Sequence, residues 1–329
     1  MIDTLTNETS ADTMYTDKAL QSSKKLISII CPCYNESKTV GLFIDSINKT
    51  MKNADADYEI IFINDGSTDD TLNCLTQLKQ LHPTIRIIDL SRNFGKEVAL
   101  TAGLDHAKGD ALIPIDVDLQ DPPELILEML NKWQEGYDVV LAKRVDRSAD
   151  SIAKRKTADW FYQLHNKISH IKIPQNVGDF RLIDRKVADA LKQLPERQRF
   201  MKGLFAWVGF NTTEIEYTRP ERIAGDTKFN TLKLLNLAVE GITSFSNAPL
   251  RIWSFLGILL SSFSFLYGLF IILRTLFFGI DTPGYASLLT VILFFSGIQM
   301  LGLGVLGEYI GKIHTETKLR PLYIIKEEY

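Results

Sequence analysis

Ala111-Leu-Ile-Pro-Ile-Asp116-Val-Asp118-Leu-Gln120-Asp121-Pro-Pro123 is the stretch on which the reading of this chain turns. Its apolar run predicts a strand over residues 111–115, followed by two acids spaced i, i+2 and then by consecutive prolines. If extended geometry persists past Asp116, period two puts Asp116, Asp118 and Gln120 on one face. Two carboxylates and a neutral oxygen converging at a strand end suit a hard divalent cation, Mg²⁺ or Mn²⁺. Such ions keep several waters and take a substrate diphosphate as a further ligand. Acids and prolines also make ordinary surface turns, so the surroundings have to decide. Pro114 removes one ladder donor, and a local irregularity is expected just before the acids.

On both sides of this stretch, strands alternate with helices. The pattern predicts strands at 26–31, 58–63, 85–90 and 138–142 and helices near 38–52, 70–81, 97–107, 123–135 and 185–194. Such spacing makes βαβ units and a mostly parallel sheet, with ligands beyond the carboxyl ends of the strands. Polar clusters fall at those ends: Tyr34/Asn35/Glu36, Asn64/Asp65, Arg92/Lys96, Asp116/Asp118/Gln120 and Lys143/Arg144. Five in succession favour one shared site over ordinary loop polarity.

The 329 residues carry a net charge of −3, which gives no basic excess for nucleic acid. Three cysteines, Cys31, Cys33 and Cys74, fit neither a disulfide framework nor a four-ligand zinc site. They read as small buried thiols. Residues 1–24 form a polar segment, expected to be a disordered tail and not a signal peptide.

Hydropathy changes sharply after residue 250. No charge occurs from Ile252 to Leu273, and after Asp281 the next charge is Glu308. Each gap exceeds the roughly 20 apolar residues that cross a hydrocarbon core, so two membrane helices are expected, about 252–278 and 285–308. Basic residues flank the pair, Arg251 and Lys233 before it and Lys312, Lys318, Arg320 and Lys326 after it, which puts both termini in the cytoplasm. Gly307 and Gly311 are spaced as a small-xxx-small contact, within the hairpin or between subunits. The basic, aromatic stretch 151–172 and the amphipathic stretch 229–245 read as helices on an anionic membrane surface.

Taken in order, the motifs Pro32-x-Tyr34-Asn35-Glu36, Asn64-Asp65-Gly66-Ser67-x-Asp69, Asp116-x-Asp118-Leu-Gln120-x-Pro-Pro123, Gly178-Asp179-Phe-Arg181-Leu and Arg222-x-x-Gly225-x-Thr227-Lys228 carry a resemblance. Over about residues 25–320 the chain resembles glycosyltransferases of family 2 with the GT-A fold. Within them it is similar to the polyprenyl-phosphate enzymes: dolichol-phosphate mannose synthases and, from its C-terminal spans, bactoprenol glucosyltransferases.

The resemblance implies a GT-A domain over 25–228, an interfacial segment 229–250, spans within 251–311 and a cytoplasmic tail 312–329. It implies inverting transfer of a sugar, glucose from UDP-glucose as the favoured case, to undecaprenyl phosphate at the bacterial inner membrane, for cell-surface glycan or lipopolysaccharide modification. Pro32, Tyr34, Glu36, Asp65, Lys96 and Asp116 fall on nucleotide-sugar positions. Asp116, Asp118 and Gln120 fall on the positions that hold Mg²⁺ or Mn²⁺ and the diphosphate. Arg144, Arg155, Arg181, Arg222 and Lys228 are candidates for the acceptor phosphate, and Asp118, Asp179, Arg144 and Lys228 for the catalytic set.

Because a phosphate monoester is already largely dianionic at neutral pH, a positioning role for Asp179 is expected over proton abstraction. One departure from the family is Asn64, where the usual residue is Asp. Alternatives are a processive glycan synthase of the same family and a non-catalytic membrane partner with a relict transferase fold. Homo-oligomers through the membrane helices are a further expectation.

Overall fold

The computed structural model describes residues 24–145, 174, 176–197, 199–218, 248–278 and 284–329. The expected helices 151–172 and 229–245 lie outside the described residues, as does the expected tail apart from Lys24. Among the described residues eight strands form one sheet: β1 (Leu26–Cys33), β2 (Asp57–Asn64), β3 (Ile85–Leu90), β4 (Ala111–Pro114), β5 (Val139–Arg144), β6 (Val177–Asp184), β7 (Thr212–Tyr217) and β8 (Ile325–Glu328). Their order across the sheet is β7-β5-β6-β4-β1-β2-β3-β8.

In the half built from β4, β1, β2 and β3, every neighbouring pair is parallel. The strands there are continuous Ile-rich runs because helices cover both faces. The covering helices are α1 (Val40–Met51), α2 (Thr71–Leu81), α3 (Lys96–His106) and α4 (Leu125–Gln134). Phe43, Ile44 and Ile47 of α1 pack with Ile29 and Phe62 on one face, and Leu100 and Leu104 of α3 pack with Ile30, Ile61 and Ile63 on the other. Cys31 and Cys33 are buried in the first cluster, and burial raises both thiols well above their ordinary range.

In the second half, β6 runs antiparallel to both β4 and β5, while β7 pairs parallel with β5. Two short helices follow β6: α5 (Arg185–Lys192), capped by Asp184 accepting from the Lys186 amide at 2.9 Å, and α6 (Met201–Trp207). At the far edge β8 closes onto β3 antiparallel, so the last residues of the chain complete the sheet.

Pro114 has the expected effect, and the register shows how. Asp110 donates its amide to the Leu26 carbonyl, and Ile115 donates to Ile30. β1 advances four residues between these bonds and β4 advances five, because Pro114, paired with Ile30, has no amide to give. The chain leaves the sheet one residue out of step. A turn follows at Val117 and Asp118, and Leu119 is left-handed at φ 56°. Ladder pairing ends at Pro114, and the turn from Val117 breaks the expected single strand face for Asp116, Asp118 and Gln120.

Two long helices precede β8: α7 (Ala248–Phe278) and α8 (Tyr285–Thr317), which contain the two expected apolar stretches. One stretch, Ile252–Phe270, is long and apolar enough to cross a membrane, and it exposes Phe255, Ile258, Phe263 and Phe265. The helices pack closely at Gly302, where a Cβ would run into the Trp253 indole, whereas Gly307 and Gly311 have open space beside them. α8 is tied back to the sheet domain. Glu316 accepts from the Arg197 amide at 2.8 Å, and the Tyr323 hydroxyl donates to Asp105 at 2.9 Å.

Candidate active site

The loops after β1, β2, β3 and β4 meet at the carboxyl edge of the parallel strands, and backbone bonds fix their shape. Asn35 is left-handed (φ 57°), and its side-chain oxygen accepts the Thr68 amide at 2.8 Å, joining the first two loops. Glu36 sits on the same loop, its carboxylate accepting the Thr39 hydroxyl at 2.9 Å, while Tyr34 is exposed and Pro32 half-buried. Gly66 is also left-handed (φ 61°), and a Cβ there would collide with the backbone of Arg92 and Asn93. Glycine is thus required both for conformation and for close approach of the second loop to the third.

Asp65 is almost fully buried. Its two carboxylate oxygens accept the amides of Phe94 and Gly95 at 2.7 and 2.9 Å. Burial outweighs those bonds and raises its pKa. In this geometry Asp65 shapes the turn that launches α3, whose first residue is Lys96. Asn64 fits here for a different reason. Its side-chain NH₂ donates to Asp89 at 2.7 Å, and Asp89, only 3% exposed, is paired on its other oxygen with Lys326 of β8 at 3.3 Å. An aspartate at 64 would place two carboxylates against each other in the core.

Lys96 is the centre of the site. Its ammonium lies 2.7 Å from an Asp116 oxygen and 2.7 Å from an oxygen of Asp179. Burial works against the cation, but Asp116 and Asp179 together raise its pKa far above the ordinary lysine value. Burial likewise opposes ionisation of Asp179, and Lys96, Lys202 and Arg181 overcome it, holding the carboxyl well below the usual range. The second Asp179 oxygen, Oδ1, is buried without a hydrogen-bond partner among the described residues. A permanently ionised carboxylate is a poor proton acceptor near neutral pH and a good anchor for a cation or hydroxyl.

Glu97, beside Lys96, reaches the other way. It accepts the Met201 amide at 3.0 Å at the start of α6. Burial, with Asp179 nearby, pushes it up to about 7. Arg181 was expected to meet a phosphate, but it is 4% exposed. Its guanidinium donates to the Gly178 carbonyl at 2.7 Å and to the Asp179 carbonyl at 3.4 Å, and it lies 4.0 Å over the Phe205 ring. Burial lowers its pKa to about 10. In this arrangement it braces the Gly178–Asp179 segment.

Arg144 ends β5 and is half-buried. Its Nε donates to the Tyr217 hydroxyl at 3.0 Å, and its Nη2 lies 3.6 Å from Asp121. Arg155, Arg222 and Lys228 lie outside the described residues. Sequence reasoning missed Asp121, Tyr217, Glu97 and Lys202. Two signals were available: the acid of Gln120-Asp121-Pro-Pro, and the alternation of Thr212-Thr-Glu-Ile-Glu-Tyr217, which buries Ile215 and Tyr217.

The fit of a divalent cation can be tested on the turn itself. Among the described residues no three His, Cys, Asp or Glu side chains cluster as a metal site. The turn offers two carboxylates and an amide instead. Gln120 is buried and its Oε1 has no hydrogen-bond partner among the described residues, while its backbone N–H donates to Asp118 Oδ1 at 3.1 Å. An orphaned carbonyl-type oxygen on the same short turn as two carboxylates is an all-oxygen donor set, whose chemistry fits Mg²⁺ or Mn²⁺.

A mixed sheet whose carboxyl edge gathers acids, a lysine and a glycine-bearing loop is the architecture expected of a GT-A domain. Residues 28–192 match the glycosyl transferase family 2 profile, and the chain belongs to that family. It is 56% identical over 300 residues to "Prophage bactoprenol glucosyl transferase homolog" of Escherichia coli (strain K12), covering 91% of this chain and 98% of that one. It is 55% identical over 302 residues to "Bactoprenol glucosyl transferase" of Shigella phage SfV, covering 92% and 98%. Among solved structures it is similar to "Mannosyltransferase PcManGT from Pyrobaculum calidifontis in complex with GDP-Man and Mn2+", at 18% identity and a TM-score of 0.42, covering 61% of this chain and 59% of that one. The chain is a glycosyltransferase.

Proposed function

We propose that this glycosyltransferase moves glucose from UDP-glucose, with inversion, onto undecaprenyl phosphate at the cytoplasmic face of a bacterial inner membrane. The observation that carries the reading is Lys96 joining Asp116 and Asp179 beside the orphaned Gln120 oxygen. A fixed ammonium and partnerless oxygens on Gln120 and Asp179 support this reading, since departure of a diphosphate calls for positive charge and a cation site. The lipid acceptor is supported by relatives at 55–56% identity whose names carry bactoprenol, and by the exposed apolar stretch Ile252–Phe270.

Asp116, Asp118 and Gln120 would hold Mg²⁺ or Mn²⁺, which supplies Lewis-acid stabilisation to a leaving diphosphate. The chain's own residues do the rest. Lys96 keeps Asp179 ionised and sets the spacing of Asp116 and Asp179. Asp179, braced from behind by Arg181, has an oxygen free to orient a hydroxyl or support developing positive charge on the sugar, and it abstracts no proton. The acceptor phosphate needs no base, but it needs cations against the repulsion of a second phosphate. Arg144, together with Arg155, Arg222 and Lys228, supplies them.

The second apolar helix, α8, crosses the membrane as the return limb, which leaves both termini cytoplasmic. Gly307 and Gly311, with open space beside them, support packing against a second copy.

The test is a donor screen with purified full-length protein in detergent. UDP-glucose and competing nucleotide sugars are each offered with undecaprenyl phosphate and Mg²⁺ or Mn²⁺, and the lipid product is analysed by mass. One hexose per lipid from UDP-glucose is expected. A ladder of sugars, a different donor, or no transfer to the lipid would each replace the reading.

A further inference from the structure

Arg144 is not held by a simple ion pair. The Tyr217 hydroxyl stands between it and Asp121, donating to an Asp121 oxygen and accepting from Arg144 Nε at 3.0 Å. Asp121 is 3% exposed and Tyr217 6% exposed, whereas the Arg144 side chain keeps 27% of its surface open. The anion and the phenol are therefore interior and the cation is the part that reaches outward. The guanidinium also lies over Gly178, where an added Cβ would meet Nη2 at 3.2 Å, so the next residue to Asp179 leaves room for it.

Three strands or turns supply this triad: Asp121 closes the Asp116–Gln120 turn, Arg144 ends β5 and Tyr217 ends β7. Asp116 is close enough to stabilise the Arg144 charge along with Tyr217 and Asp121. The triad links the metal-type turn to Arg144 at the end of β5. Burial and Asp121 push the phenol up to about 12, so it stays protonated and the direction of donation is fixed at any working pH.

We propose that Tyr217 and Asp121 are positioning residues that pre-order the Arg144 guanidinium to grip the phosphate of the acceptor. This rests on the reading above, in which the acceptor is an isoprenyl monophosphate. A free arginine gives up considerable side-chain freedom on gripping a phosphate, and one already clamped at Nε and Nη2 has surrendered most of it beforehand. Removing the clamp should therefore weaken phosphate binding while leaving the charge in place.

The probes are geranyl phosphate, a soluble isoprenyl monophosphate, and UDP, each titrated into full-length protein in detergent by calorimetry. Tyr217→Phe should raise the Kd for geranyl phosphate about tenfold and leave that for UDP within about twofold, since preorganisation alone is lost. Asp121→Asn, which keeps shape and the phenol, should act in the same direction, and guards against misfolding of the first variant. In an Arg144→Ala background, Tyr217→Phe should add nothing, because its effect runs through the arginine. An equal loss in both backgrounds, or an unchanged geranyl phosphate Kd in Tyr217→Phe and Asp121→Asn while Arg144→Ala weakens it, overturns the positioning role. If Arg144→Ala has no effect, or the unsubstituted protein does not bind geranyl phosphate, the acceptor reading falls and this inference with it.

Discussion

The two carboxylates on Lys96 come from different halves of the sheet, and the halves hold their polar groups differently. Asp116 follows β4 of the parallel half, where loop side chains are tied mainly to backbone: Asp65 to the amides of Phe94 and Gly95, Asn35 to that of Thr68. Asp179 lies on β6 of the mixed half, where charges meet charges. Lys96, Lys202 and Arg181 stabilise Asp179, and Asp121 and Tyr217 stabilise Arg144. Backbone bonds shape a cavity without depending on pH or on a ligand's charge. Paired charges can be redistributed when an anion or cation arrives. The parallel half therefore reads as a mould for the donor, and the mixed half as the part that responds to reacting groups. Lys96 is the only joint between them that touches both acids among the described residues.

Breaking that joint is the severest test. Lys96→Ala should lower kcat/KM by about 10²–10³, the usual loss for one preorganised electrostatic group, whereas Lys96→Arg should recover part of it. Activity within a few-fold of the unsubstituted enzyme would show that the acids do not need a common cation. Asp179→Asn sharpens the same point. Since Lys96 and its neighbours hold Asp179 ionised throughout the working range, the variant should be slower with an unchanged pH–rate shape. A titrating limb lost in Asp179→Asn would mean that Asp179 does take a proton.

The mould can be tested through Asn64. Asn64→Asp would set a second carboxylate near Asp89, at the position where the Asn64 nitrogen now sits 2.7 Å away. One of the pair must then stay protonated or be destabilised, so a stability loss of roughly 2–3 kcal/mol is expected at neutral pH. The sign follows from linkage. A carboxyl raised in the folded state destabilises more as pH rises, so the deficit should shrink below about pH 5. Lys326→Ala, whose side chain is 63% exposed, should cost well under 1 kcal/mol. Apparent Tm in detergent at two pH values reads both. A deficit in Asn64→Asp that does not change with pH would point to packing instead of charge. Truncating the chain at the start of α7 would also remove β8 and Lys326, so a loss of function there would not isolate the two long helices.

The same division explains what could be read from sequence. The parallel half was legible because buried parallel strands are continuous apolar runs and their polar ends stand out, down to the irregularity at Pro114. In the mixed half β5 and α5 were legible in the same way, but β6, β7 and β8 were not. β6 runs through Gly178-Asp-Phe-Arg, which looks like a loop because two of its residues serve the site and not the core. β8 is four residues with two glutamates and a lysine, and it is held by β3 and not by its own propensity. Arginine is seldom buried, so nothing in the sequence marks Arg181 for the interior, and it stands among the acceptor-phosphate candidates. Its burial depends on carbonyls of Gly178 and Asp179 and on Phe205, contacts that only the tertiary fold creates.

Glu97 gives the smallest expected effect and the finest probe of the boundary, since it stands between Lys96 and α6. Burial and the Asp179 charge push it up to about 7, against an ordinary glutamate value near 4.3. Below about pH 4 the folded and unfolded chains both hold this proton. Between about 4 and 7 the folded protein holds it while the unfolded chain has lost it. Stability from this group therefore falls as pH rises through that window and stays low above it. The cost at pH 8 should be on the order of 2 kcal/mol, allowing for partial solvent access. Glu97→Gln keeps an oxygen for the Met201 amide and removes the charge. It should be the more stable form at pH 8, nearly equal to the unsubstituted protein at pH 5, and flatter between. Parallel Tm curves for the two proteins across pH 5–8 would show that Asp179 leaves Glu97 ionised, and that the charges of the mixed half do not extend to α6.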